Sequence, residues 1–526
     1  MSEDQYGGYV TDIEYTWGFY PEIGPVMLNW IAASAGHSPR PLDREFTYLE
    51  LGCGNGVTIN VNGAVHPKGK FYGVDFMPQH VVNGQNMADN GGLTNVKIIR
   101  CGFQDFVRDH GDLPKFDFIT LHGILTWVKT EYQEAIIDII DKMLVPGGIV
   151  YVSYNCYPGQ SLIEPVRKMM IEYTKGMQGE SRKKAQAGIG FVEKLLEVNP
   201  RAFMHGDRVK KLIEKLKKSP PNYIVHEYFH EYWYPFWFTD VAERFSRAGL
   251  NYVGSATLQR NIVDLNLNEA QRKLLGPISD VVKRQQVQDF MLDEQFRRDV
   301  FVRASTVQIP RDPLKIPGLL DLRIGTMRAE KEIEREVKVP AGTVRFKREF
   351  DDKIIAKLCT GNHTVRDFLN DPALTERPPL GIAQVIQLLM ATRQAWPMAD
   401  AQPEVPENVG ERTDLKWEIP SQWNRVTIGQ RIAGGNVRNI AAPVAGTGLP
   451  LSMLEACLLD GLANAGMGGA VDYANKELER RKRLLVINNK TIERGDEQTK
   501  VLTDELEVFK TEKLAKFIKL GVIKPV

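Results

Sequence analysis

The chain has 526 residues, of which 67 are Lys or Arg and 66 are Asp or Glu, for a net charge of +1. A general nucleic-acid binder needs surplus cations to displace counterions from phosphates, so this balance argues against that class. An apolar fraction of 43% excludes wholesale disorder, and at ~150 residues per domain the length suits about three domains. The five cysteines (Cys53, Cys101, Cys156, Cys359 and Cys457) are scattered and form no Cys-x-x-Cys pair. A disulfide framework or a metal site is therefore not expected, and a reducing compartment fits. The N-terminus, Met-Ser-Glu-Asp-Gln-Tyr, is polar and lacks a signal-peptide core. No apolar run reaches the ~20 residues that span a bilayer. The expectation is a cytoplasmic protein with no membrane span.

In chain order, Phe46–Leu51 reads as a short apolar strand and Val57–Val65 as a helix. Lys70–Asp75 is a strand ending on an acid. Pro78–Asp89 is a helix stopped by Asn90-Gly91-Gly92. Val96–Arg100 and Phe116–Leu121 are further strands. Ile136, Ile139, Ile140, Met143 and Leu144 share one helical face. Pro146-Gly147-Gly148 ends that helix, and Ile149–Tyr154 is a buried-type strand. Strands separated by helices predict a parallel, doubly wound α/β sheet with right-handed crossovers.

Residues 160–220 are charged and helical, ending at Lys217-Lys218-Ser219-Pro220-Pro221-Asn222. The aromatic segment His226–Phe238 follows; its run Tyr228–Phe238 either packs between a cap and the sheet or walls the substrate. A helix over Thr239–Ala248, then Gly249 and a strand over Leu250–Ser255, return a late strand to the sheet. That makes 160–235 an insertion over the sheet's carboxyl edge. The charged stretch 265–335 reads as helical. The rhythm of Asp351–Leu358, Thr364–Leu369 and Ile382–Arg393 suits a winged-helix-like fold. Residues 398–412 are Pro- and Glu-rich, as linkers are, and 445–526 is amphipathic and helical.

The run Glu50-Leu51-Gly52-Cys53-Gly54-Asn55-Gly56 sits between the first strand and its helix. A dinucleotide fingerprint would need its third glycine at Val57. The tighter Gly52-x-Gly54-x-Gly56, led by an acid, looks like the first motif of S-adenosylmethionine enzymes. Their ligand brings an amino-acid tail and no pyrophosphate. Glu50 can reach the ammonium of that tail, directly or through water. Asp75, nineteen residues past Gly56, can accept two hydrogen bonds from a ribose diol, and Phe76 can cover the adenine. After the third strand, Phe103 stands where many relatives carry an acid. Either Phe103 through its backbone, or the Gln104 or Asp105 side chain, must hold the adenine amino group; otherwise Gln104 and Asp105 simply start a helix. The cofactor-binding set expected is Glu50, Gly52, Cys53, Gly54, Asn55, Gly56, Asp75, Phe76, Phe103, Gln104 and His122.

Tyr9-Val10-Thr11-Asp12-Ile13-Glu14-Tyr15-Thr16, the Glu50–Gly56 loop, Phe71–Phe76, Phe116–Gly123 with Trp127-Val128, and Tyr151–Asn155 resemble bacterial methyltransferases that carry a methyltransferase regulatory domain. Tyr223–Tyr228, Pro235–Phe238 and Ala248–Tyr252 are similar to the regulatory module itself. The resemblance covers about 6–260 and is looser beyond. Related rickettsial enzymes methylate lysines of outer-membrane proteins, and their N-terminal segment is richer in Pro and Ser than Tyr15-Thr16-Trp17-Gly18-Phe19-Tyr20. The resemblance implies a Rossmann-like methyltransferase using S-adenosyl-L-methionine, with S-adenosyl-L-homocysteine as product. It also implies a protein lysine acceptor, and leaves a homodimer open. The other two readings are a small-molecule or glycan acceptor, and a cofactor-binding regulator with little catalysis. The expected division is a cofactor-binding domain with an N-terminal lid (1–160), a helical insertion with the regulatory module (161–260), a helical connector (261–336), a winged-helix-like domain (337–400) and a C-terminal helical region (413–526).

Ligands of doubly wound sheets bind outside the carboxyl ends of the strands. The fourth strand runs out at His122 and the fifth at Tyr154-Asn155. His122 is therefore the candidate base or orienter, or else a structural histidine at the strand end. Tyr154 and Asn155 either bind the incoming acceptor or are ordinary strand-end polar residues. Tyr6, Tyr9, Tyr15, Trp17, Phe19 and Tyr20 form either a lid over the pocket, with Tyr15, Trp17 and Tyr20 nearest the acceptor, or a packed N-terminal helix. Trp127 reads as core, and Lys210–Lys218 as a solvated helix face.

Overall fold

The computed structural model describes residues 17–198, 200–201, 206–230, 232–304, 315–316, 318–487 and 490–526. Its centre is a seven-stranded sheet. β1 (Phe46–Leu51) lies between β2 (Gly69–Asp75) and β4 (Phe116–Leu121); β3 (Val96–Arg100) flanks β2, and β5 (Leu144–Asn155) flanks β4. These five strands are parallel. β6 (Asn251–Ser255) forms the far edge, and β7 (Phe296–Val302) runs antiparallel between β5 and β6. Strand order reverses between β1 and β4, which opens a crevice at their carboxyl ends.

Every residue of β1 is buried, as in a parallel strand covered on both faces. Leu49 and Leu51 face one core with Ile119, Leu121, Val150 and Val152, closed by Ile136 and Ile140 of α5 (Thr130–Met143). Tyr48, Phe118 and Tyr151 face the other core, closed by Leu28 and Ile31 of α1 (Pro25–Ser34) and Ile59 of α2 (Val57–Val65). α3 (Pro78–Asn90) and α4 (Phe103–His110) complete the crossovers. α6 (Ile163–Thr174), α7 (Ser181–Glu197), α8 (Gly206–Lys218) and α9 (Pro221–Tyr228) form a cap with its own core, including Met170, Val192, Leu216 and Val225. α10 (Phe238–Ser246) then leads into β6.

The stretch 261–336, expected as a helical connector, needs correction. It holds three helices, α11 (Val263–Asn266), α12 (Glu269–Leu275) and α13 (Val281–Leu292), but it also holds β7, the strand that completes the sheet. Arg297 and Asp299 make β7 look like a polar surface, yet both are buried. Arg297 pairs with Asp299 at 2.8 Å and with Asp289 of α13 at 2.6 Å, and lies 4.0 Å over the Phe238 ring. The charges pair with one another inside the protein, so the sequence looks exposed where the chain is core.

Beyond the sheet, β8 (Arg323–Gly325), the β9 (Glu336–Val339)–β10 (Gly342–Arg345) hairpin, α14 (Glu349–Thr360), β11 (His363–Thr364), α15 (Val365–Leu369), α16 (Pro379–Ala391) and β12 (Trp396–Met398) follow in order. β8 is the middle strand of an antiparallel trio with β11 and β12. The last region holds β13 (Trp417–Glu418), α17 (Gln422–Ile432), the β14 (Asn439–Ala442)–β15 (Thr447–Pro450) hairpin, α18 (Met453–Arg480), α19 (Asp496–Val508) and α20 (Leu514–Lys519). It packs back on the sheet domain through Trp423, Val437 and Ala441 against Val57, Val61 and Val65 of α2. Among the described residues no helix is long and apolar enough to cross a membrane.

Arg297→Ala would strand two buried carboxylates, at a cost of about 3–5 kcal/mol. Chemical denaturation checks this, and an unchanged midpoint refutes it.

Candidate active site

The loop between β1 and α2 carries the site. Gly52, Gly54 and Gly56 have φ of 71°, 53° and 75°, the left-handed region that glycine enters without strain. Gly56 caps α2, and a Cβ there would lie 2.9 Å from the Cα of Gly84 in α3. Asp75 ties the loop to the end of β2. Its Oδ2 accepts from the Gly54 amide at 3.0 Å, and its Oδ1 accepts from the Met77 amide at 2.9 Å and lies 3.2 Å from His80 Nδ1. A carboxylate has about four acceptor positions, so Asp75 keeps capacity for a ligand. Asn55 accepts from the Asn83 amide at 2.9 Å, which joins the loop to α3.

Glu50 ends β1 just before the glycines. It is buried, and its Oε2 has no hydrogen-bond partner among the described residues. Burial, reinforced by the charge of Asp75, pushes its carboxyl up to about 8. An unpaired buried acceptor is costly, and a ligand cation would relieve that cost.

A cavity of about 320 Å³ opens from this loop. Glu50, the Gly52–Gly56 run and Asp75 line it, as do Phe76, Phe103, Gln104 and Asp105. His122 and Tyr20 line it as well, with Trp127, Lys129 and Tyr132 from the segment after β4, and His226, Glu227 and His230 from the end of the cap. Every residue of the expected cofactor set is therefore on one cavity.

His122 stacks on Tyr20 with ring centres 3.7 Å apart, and its Nδ1 lies 2.9 Å from the Tyr151 hydroxyl. Burial, with the nearby charge of Arg298, lowers its pKa to about 3. It is neutral at neutral pH and too weak a base to deprotonate an amine of pKa ~10.4. Of the roles expected for it, base, orienter or structural histidine, this environment disfavours the base.

The other acceptor candidates do not reach the cavity. Tyr154 is fully buried and donates to Asp299 at 2.5 Å, on the face of β5 that turns to the Arg297 cluster. Strand parity decides this: side chains alternate, and Tyr151 and Ser153 face the site instead. The Tyr151 hydroxyl meets His122, and Ser153 accepts from the Gly123 amide at 2.8 Å. Asn155 is buried too; its side chain accepts from Gln160 at 3.3 Å, and its amide donates to Thr126 at 2.9 Å. Trp17 packs with Phe19 beside α2, against the C-terminal region. Tyr15, Tyr6 and Tyr9 lie outside the described residues.

Two family models match consecutive stretches of the chain: a methyltransferase domain over residues 42–217 and a predicted methyltransferase regulatory domain over residues 220–303. An uncharacterized protein of Synechocystis is 30% identical over 98% of this chain and 99% of its own length. The chain belongs to the methyltransferases that carry this regulatory domain. It is an S-adenosylmethionine-dependent enzyme. An uncharacterized protein of Rickettsia prowazekii is 30% identical over 42% of this methyltransferase and 86% of its own length. PKMT2 from Rickettsia typhi, solved in complex with AdoHcy, shares the fold: TM-score 0.70, 96% of this chain and 100% of that one covered, at 18% identity.

The residues that sequence reasoning missed come from the methyltransferase's cap and the segments around β4. Trp127, expected as core, lines the cavity and meets His230 edge-on at 5.7 Å. His226 and Glu227 carried one local signal, two polar residues directly after the buried Ile224 and Val225. Their arrival at the sheet's edge depends on how the insertion folds back. The unpaired Glu50 oxygen and the left-handed glycines fit a ligand with an ammonium-bearing tail.

Gly56→Ala forces φ of 75° on a residue with a Cβ and presses that Cβ on Gly84. It should cost about 1–3 kcal/mol of stability, read by thermal melting, and weaken S-adenosylmethionine binding, read by calorimetry. Glu50 sets a pH dependence. Its folded pKa is raised above the unfolded value, so below about pH 8 the carboxyl holds a proton in the free enzyme. An ammonium beside it favours the ionised form, so binding releases that proton and tightens as pH rises toward about 8. Calorimetry in buffers of different ionisation enthalpy should detect the proton. Glu50→Gln should abolish both the release and the slope.

Proposed function

We propose that this methyltransferase methylates lysine side chains of a protein substrate. One observation carries the reading: the cap places Glu227 in the lining of the cofactor cavity, which Tyr20, Trp127 and Tyr132 also line. Burial pushes the Glu227 carboxyl up to about 7. A lysine arrives as an ammonium, which aromatic faces attract by ~0.5–2 kcal/mol. It must lose a proton before its nitrogen can attack. His122 is too weak a base to take it, and a carboxylate poised near 7 is matched to that task. The resemblance to rickettsial protein lysine methyltransferases supports the same acceptor.

S-adenosylmethionine, when bound, supplies the methyl group. Glu50 holds its ammonium and Asp75 its ribose hydroxyls. Phe76 and Phe103 flank the adenine, with Gln104 or Asp105 at its amino group. The glycine loop lets the backbone close on the ligand. Neutral His122, fixed between Tyr20 and Tyr151, orients the reacting groups without competing for the proton. Much of the rate gain in such a displacement comes from alignment, and these residues are packed rigidly enough to provide it.

The test incubates the enzyme with a bacterial lysate and radiolabelled S-adenosylmethionine. Methyl-lysine is expected in hydrolysed protein. Label confined to small molecules or glycans would overturn the lysine assignment, and no label at all would favour a regulator. With an identified substrate, Glu227→Gln should lower kcat by about 10²–10⁴. It should also remove the rise of kcat with pH through about 7, because the acceptor proton then has no carboxylate to go to.

A further inference from the structure

The C-terminal region meets the cofactor site at one helix. Trp423, near the start of α17, packs on Val57, Val61 and Val65 of α2 and on Met87 of α3. Asn424 clamps β14, donating to the Ala441 carbonyl at 2.9 Å and accepting from its amide at 2.7 Å. Gln422 donates to the Asn90 carbonyl at the end of α3 at 3.1 Å. α2 itself starts at Gly56, the last glycine of the loop. Close-packed helices move as rigid bodies, so a shift of α17 is felt at the loop.

α17 also borders a second cavity, of about 630 Å³. Arg425 of α17, Trp417, and both arms of α18 line it. α18 breaks at Gly466, where φ is 67° and ψ −177°, and its arms pack so closely that a Cβ on Gly461 would lie 2.4 Å from the Ala470 carbonyl. Glu477 of the second arm is neutralised by Arg480 and Arg481. Two other charges in the cavity have no such partner. Asp460 accepts from the neutral Asn464 amide at 3.0 Å and makes no ion pair among the described residues; burial and the charge of Glu477 raise its pKa, and the nearby Arg481 and Arg480 offset that only in part. Arg425 donates to the backbone carbonyls of Ile419 and Pro420 and makes no ion pair among the described residues. One cavity is thus lined by a carboxylate and a guanidinium that each lack an ion-pair partner among the described residues and do not pair with each other.

We propose that this second cavity binds a small zwitterion of the α-amino-acid class, its ammonium on Asp460 and its carboxylate on Arg425, and that occupancy is transmitted through α17 to α2 and changes affinity for S-adenosylmethionine. A zwitterion compensates both charges at once, which neither a simple anion nor a simple cation can do. Arg425 and Trp423 lie two residues apart on one rigid helix, so ordering the first restricts the second.

Calorimetry on the full chain tests this, with each protein amino acid offered singly and with acetate and methylammonium as single-charge probes. At least one amino acid should bind, one per chain, while the single-charge probes do not. Asp460→Asn and Arg425→Gln should each weaken that binding by about tenfold or more, the loss of a charged hydrogen bond. Saturation should shift the S-adenosylmethionine Kd several-fold. Trp423→Leu, or the milder Val61→Ala, should leave amino-acid binding intact and remove the shift. No binding by any amino acid, binding that survives both charge substitutions, or an unmoved cofactor Kd overturns the proposal. All readouts are binding constants, so they stand whatever the methyl acceptor is.

Discussion

Asp75 accepts the Gly54 amide with one carboxylate oxygen and the Met77 amide with the other. Those bonds join the end of β2 to the glycine loop after β1, and they place a second acid beside Glu50. Burial first, and then the neighbouring charge of Asp75, leave Glu50 holding its proton. The free site is thus electrostatically incomplete. A ligand with a cationic tail resolves the conflict, which makes the loop selective for charge as well as shape. The left-handed glycines let the backbone turn this tightly, and the close approach of Gly56 to Gly84 leaves no room for a side chain.

The rest of the molecule is arranged around that crevice. β7 and α13 are locked to the sheet by Arg297 between Asp289 and Asp299, with the Tyr154 hydroxyl completing the set. This cluster sits on the face of β5 opposite His122. One strand therefore carries structural polarity on one side and site polarity on the other. The cap leaves the sheet after β5 and returns to it before β6, so its last helix ends where the cofactor cavity opens. The C-terminal region braces α2 from outside. Cap and brace each contribute what the bare sheet lacks, the first part of the cavity wall and the second a backing for the loop.

Legibility in the sequence followed the range of the interaction. The strands and helices from Phe46 to Tyr154 were readable because hydrophobic periodicity is local. The glycine spacing and Asp75 were readable because a tight turn and a strand-end acid are short-range devices. β7 was not: its charged residues Arg297 and Asp299 pair with partners elsewhere in the chain and with each other, so local polarity pointed to the surface. Tyr154 was placed at the right strand end and on the wrong face, since parity at a strand's end depends on register with β4 and β7. Trp127 was read as core because an aromatic residue that walls a cavity is as apolar as one that fills a core.

By itself the sequence determined the α/β class, the loop and the cofactor type, because each rests on residues within a few turns of one another. It also implied, through resemblance, the regulatory module. Only the tertiary structure decided how the site works chemically. The burial that leaves His122 neutral, the stacking of Tyr20 on it, the delivery of Glu227 by the cap and the contact of α17 with α2 all join residues far apart in the chain. Protonation in these groups is set by desolvation and neighbouring charge, which exist only once the chain has folded.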